Sequence, residues 1–145
     1  MVKPTVTHKV IPSENKRAHL EMIQAVINRI AGNSFLIKGW GITLVVGLFV
    51  LSQKDSNVVY VFLAFFPAVV FWSLDGYYLW QEKLYRDLFD RVRATSERDV
   101  DFSMNPKGVA EQAGSIWKAT FSHTIVLFHG AILITILVVM ALSLT

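Results

Sequence analysis

The sequence predicts an all-α membrane protein with three transmembrane helices. Helices 1 and 2 extend into the cytoplasm as an antiparallel helical pair. Three observations predict this architecture. Of the 14 Lys and Arg residues, every one except Lys54 falls within 1–38 or 83–118. The stretches 39–53, 56–74 and 119–145 contain no Asp, Glu, Lys or Arg. Apolar runs of this length alternating with basic segments describe a polytopic membrane protein. Finally, the chain is 53% hydrophobic with a mean hydropathy of +0.44. A soluble chain of 145 residues would have to hide all of these runs in one small core.

The elements follow in order. Residues 1–12 carry Pro4 and Pro12 and read as an irregular lead-in, with Ser13 as an N-cap and Glu14 in the first turn. An amphipathic helix then spans 13–34. Leu20, Ile23, Ile27, Ile30 and Ile37 follow a 3-4 spacing, with Ser34 in the remaining slot. The first span is 35–51, and nothing obliges the helix to stop before it. Gly32 and Asn33 are the candidate kink. Helix 13–51 would be about 58 Å long, roughly twice the hydrocarbon core. The polar link 52–57 then turns the chain back as a tight hairpin.

The second span is 58–79, with a kink expected at Pro67. Its helical continuation, 80–94, is amphipathic. Leu74, Tyr78, Gln81, Tyr85, Leu88 and Val92 follow a strict 4-3 alternation, a seam that would pack on the seam of 13–34. Residues 95–115, broken by Pro106, Gly108 and Gly114, form a cytoplasmic connector. Ile116 and Trp117 mark the return to the membrane, and the third span is 119–144. The whole is a single membrane domain.

The basic residues also give the orientation. Lys3, Lys9, Lys16, Arg17, Arg29 and Lys38 lie on one side, together with the basic residues of 83–118. Lys54 alone lies on the other. The positive-inside rule places the N-terminus in the cytoplasm and the C-terminus outside. Trp40, Trp72, Trp80 and Trp117 all fall near the cytoplasmic boundary as an aromatic belt. The polar N-terminus has no apolar h-region, so the first span is expected to serve as the insertion signal.

Composition narrows the chemistry. With no cysteine there is no disulfide framework, thiolate metal site or cysteine nucleophile. The net charge of +3 is explained by membrane topology, so nucleic acid is not an expected partner. No P-loop, GxGxxG, GxSxG or HExxH occurs, and no metal site or cofactor is expected. Residues 99–102, DVDF, lack the twelve-residue loop and spaced carboxylates of a calcium hand. An enzyme is therefore not expected.

The candidate functional residues are polar groups in or near the spans. Lys38 enters span 1 and Asp75 leaves span 2 at similar depth. Charges there are costly unless paired, snorkelling or facing water. They read either as part of an ion path or gate, or as an interfacial salt bridge that fixes helix register. His123 lies near the boundary of span 3, and His129 about two turns inside. An intramembrane histidine relays protons, lines a pore or makes an interhelical hydrogen bond. Gly39, Thr43 and Gly47 share one face at i, i+4 and i+8, a spacing that permits close helix approach in lipid, within a chain or between chains.

The runs 19–44, 71–93 and 101–106 resemble a bacterial family of small uncharacterised three-span membrane proteins. The order of amphipathic helix, two-span hairpin and helical continuation is also similar to the SLATT-like membrane effectors of bacterial conflict systems. The third span departs from their two-span plan. The resemblance implies self-assembly and membrane perturbation in phage defence, and it carries over no catalytic residue. The expectation is thus an oligomeric protein of the bacterial inner membrane, an antiviral effector that forms a pore when triggered. Two alternatives stay open: a non-conducting scaffold or accessory subunit that docks a cytosolic partner, and an immunity protein against a membrane toxin. The expected partners are the lipid bilayer, further copies of the chain and a cytosolic protein.

Overall fold

The structure, a computed structural model, describes residues 14–55 and 57–143. The lead-in 1–12 and the Ser13 cap lie outside the described residues. Among those described the chain is all-helical. Three helical stretches are long and apolar enough to cross a membrane: 14–55, 59–94 and 123–143. This associates the protein with a membrane.

Helix α1, Glu14–Asp55, is one uninterrupted helix of 42 residues, about 63 Å long. It passes through Gly32 and Asn33 without a break and continues past the expected end at 51. Along it Lys16, His19, Ile23, Ile27, Ile30, Gly41, Val45 and Ser52 are buried. With half-buried Ser34 and Lys38 they form one straight stripe at the natural helical period.

The second rod is two helices, α2 (Val59–Leu63) and α3 (Phe65–Ala94). They part at Ala64, a turn before the proline rather than at it. Pro67 has no N–H for the Leu63 carbonyl one turn back, so the ladder is interrupted there. From Phe65 the helix runs on to Ala94 without a second break.

Residues early in α1 meet residues late in α3. Lys16 Nζ donates to the carbonyls of Arg93 (3.1 Å) and Thr95 (2.6 Å), a cation on the C-terminus of α3. Next, Ile23 and Ile27 form a core with Leu88 and Val92, with Leu20 and Tyr85 packed against it. Gly41 lies under Phe71, and Val45 packs with Val61, Ala64 and Ala68. Ser52 Oγ closes the hairpin by donating to the Asn57 carbonyl at 3.1 Å.

The seam on α3 differs from the expected one. Leu84 is buried, whereas Leu74 is 39% exposed and Tyr78 is half-buried at the edge. A strict 4-3 alternation drifts around a straight α-helix, so it cannot stay inward along a long one. The positions that stay inward, Leu84, Leu88 and Val92, are four apart.

The connector is also more structured than expected. It contains 3-10 turns at Glu97–Asp99 and Pro106–Val109 and a short helix α4, Ala110–Ala113. Val109 is buried in the α1–α3 core, and Val100 and Met104 pack on it. Single apolar residues in a polar segment leave no periodic signal, yet they close the open end of a helix pair. The return to the membrane is split into α5, Ile116–Thr120, and α6, His123–Ser143. The lower core holds Ile136 of α6 against Val61, Ala64 and Ala68.

Candidate functional site: a buried charge cluster between three helices

Ser34 and Lys38 are one turn apart on α1 and therefore share a face. Asp75 comes from α3 and His129 from α6. Ser34, Lys38 and His129 converge on the Asp75 carboxylate. Asp75 is fully buried and His129 is 2% exposed. Lys38 Nζ lies 2.6 Å from Asp75 Oδ1, and Ser34 Oγ donates to the same oxygen at 2.5 Å. Lys38 also donates to Ser34 Oγ at 2.9 Å, so that hydroxyl accepts from the ammonium and donates to the carboxylate.

His129 Nε2 stands 3.1 Å from Asp75 Oδ2. An ionised carboxylate only accepts, so in that state the contact is a hydrogen bond donated by Nε2–H. The other ring nitrogen, Nδ1, is buried without a hydrogen-bond partner. Its ring is held between aromatics. Trp72 stacks on it at 5.9 Å with an interplanar angle of 7°, and Phe128 meets it edge-on at 5.1 Å. Phe128 also lies 5.8 Å below the Lys38 ammonium, a cation–π distance.

The arrangement offsets a large cost. A buried carboxylate beside lipid is unfavourable unless it is paired and hydrogen-bonded. Here both oxygens are engaged, and the Lys38 side chain keeps 25% exposure toward its surroundings. Chemically, the cluster joins three helices through one charge and supplies a carboxylate and an imidazole in hydrogen-bond contact.

Beside it, α5 lies directly on α3. A Cβ added at Gly76 would fall 2.7 Å from the Thr120 Cα, so only glycine fits. Trp72 Nε1 donates to the Thr120 carbonyl and Trp80 Nε1 to the Gly114 carbonyl, each at 3.0 Å.

Of the residues singled out in the sequence, Lys38, Asp75 and His129 come together. His123 does not: it is exposed at the start of α6. Gly39, Thr43 and Gly47 are exposed and off the packed face, and nothing approaches Gly39 or Gly47 within 4 Å. The close approach within the chain falls instead at Gly41, where an added Cβ would lie 3.4 Å from Phe71. Ser34 is legible in the sequence only as a polar interruption of the α1 seam. Trp72 and Gly76 give no separate signal. Neither does His19. It is fully buried, both ring nitrogens lack hydrogen-bond partners, and Phe102 packs edge-on at 5.5 Å. No group of three metal-ligating side chains forms among the described residues.

Comparisons with protein-family models, curated proteins and solved structures give no match.

Proposed function

We propose that this chain is an oligomeric protein of the bacterial inner membrane that permeabilises the bilayer when triggered, as an effector of phage defence. The N-terminus and the connector lie in the cytoplasm and the C-terminus outside, following the basic residues. The charge-rich halves of α1 and α3 stand in the cytoplasm as an antiparallel pair and receive the signal. Three spans enclose no wide pore, so conduction requires several copies.

The observation that carries this reading is the interhelical cluster of Ser34, Lys38, Asp75 and His129. An ionisable residue within a membrane span is by default a candidate functional site, and this set joins α1, α3 and α6 through one carboxylate. We assign it as the lock of the closed state. Breaking it favours a hydrated arrangement in which the carboxylate faces water. No enzymatic step is part of the proposal.

A specific observation favours a second reading. The groove between α1 and α6, lined by Ile42, Val46, Phe49, Phe128 and Ile132, is apolar rather than a polar conduit. A non-conducting scaffold or accessory subunit would have this form, docking a cytosolic protein on the α1–α3 pair. So would an immunity protein against a membrane toxin.

A voltage-sensitive dye in bacteria expressing the chain, alone and with its neighbouring genes, separates the readings. The lock predicts depolarisation by Lys38→Met at unchanged protein level. An unchanged potential for the wild type and the variant in both settings transfers the assignment to the scaffold.

A further inference from the structure

Trp72, Gly76 and Trp80 occupy successive turns of α3, at i, i+4 and i+8. They form a seat: glycine is the floor and an indole stands at each end. The segment 114–120 occupies this seat, held by the two indole hydrogen bonds and by direct backbone contact at Gly76. The floor residue is the neighbour of Asp75. The first indole does two things at once. Its N–H holds α5 at Thr120, and its face holds the His129 ring that bonds Asp75. The seated segment is short, with a five-residue helix and Gly114 at φ 72° behind it, so it can leave without unravelling a span.

We propose that α5 is a releasable strap over the Asp75 cluster and that Trp72 couples the two. Seated, α5 covers the α3 turn next to Asp75 and keeps the His129 ring stacked. Released, it frees Trp72, loosens His129 and admits water to the carboxylate. The inference rests on the reading of the Asp75 cluster as a lock. It names the element that a trigger moves.

The test is solvent access, which does not depend on conduction. Because the chain has no cysteine, Thr120→Cys places a single thiol reporter in the strap. Native membrane vesicles of both orientations are treated with a membrane-impermeant maleimide to read that thiol. In cysteine-free chains, a water-soluble carbodiimide with an amine reads Asp75 by mass spectrometry. In the parent both sites are protected. Trp72→Phe/Trp80→Phe removes both hydrogen bonds while keeping aromatic bulk. It is expected to label at both sites on the order of tenfold faster, the effect of losing two such bonds. Trp80→Phe alone, which leaves the Trp72–His129 stack in place, is expected to raise labelling of the strap thiol and serves if the double variant does not insert. Equal protection of both sites in parent and variants, from either face, overturns the strap. Faster labelling with liposomes that stay sealed to ions supports the strap and overturns the lock reading instead.

Discussion

The Lys38 ammonium and the Asp75 carboxylate meet at 2.6 Å, joining the first two helical rods. Asp75 has no exposure of its own, so its charge is tolerated only through its neighbours. Lys38→Met removes the cation and leaves the carboxylate buried. We expect a loss of about 3–5 kcal/mol, read as a lower unfolding midpoint in detergent. Lys38→Met/Asp75→Asn should recover much of it, with a coupling on the order of 1–3 kcal/mol. Full additivity of the two single variants would show that the contact does not bind the helices.

Gly76 and Gly47 should respond in opposite ways to the same change. Gly76→Ala drives a methyl into Thr120, and overpacking of this kind costs about 1–3 kcal/mol. Gly47→Ala meets nothing in the folded chain and gains helix propensity, so the monomer fold is kept or slightly stabilised. Thermal unfolding of the two purified variants checks the contrast. Gly47→Leu, by contrast, should lower the oligomer fraction seen on native gels if the Gly39–Thr43–Gly47 face packs between copies.

The core of the helix pair is expected to be uneven along α3. Leu88→Ala should cost about 2–5 kcal/mol, since Leu88 is 4% exposed in the cluster with Ile23, Ile27 and Val92. Leu74→Ala, on the exposed side, should stay within about 0.5 kcal/mol. Denaturant unfolding of each variant measures the difference, and equal costs would return the seam to its strict 4-3 form.

Much of this is legible in the sequence because lipid and helix geometry leave few options. The charge-free runs mark the long apolar helices, and two of the charges that flank them, Lys38 and Asp75, meet. His129 is visible as a polar residue in an apolar run, but its partner is not, because residues 54 apart leave no periodic trace. Gly41 and Gly76 stay hidden for a related reason. A glycine is informative only through what lies over it, and here that is Phe71 and Thr120 from other parts of the chain. The connector reads as a loop because Val100, Met104 and Val109 are isolated in a polar sequence, although Val109 is buried in the core. The small-residue face of α1 is real as a pattern. The packed stripe, set by Gly41 and Val45, simply runs along another side of the helix.

Ion flux across sealed liposomes carrying the purified chain tests the central claim most directly, comparing wild type with Lys38→Met and Asp75→Asn at matched incorporation. The account predicts that the wild type holds an ion gradient while Lys38→Met, which leaves Asp75 without its cation, dissipates it many-fold faster. Gradients retained equally by all three, with every protein inserted and assembled, would contradict a lock on a conducting path.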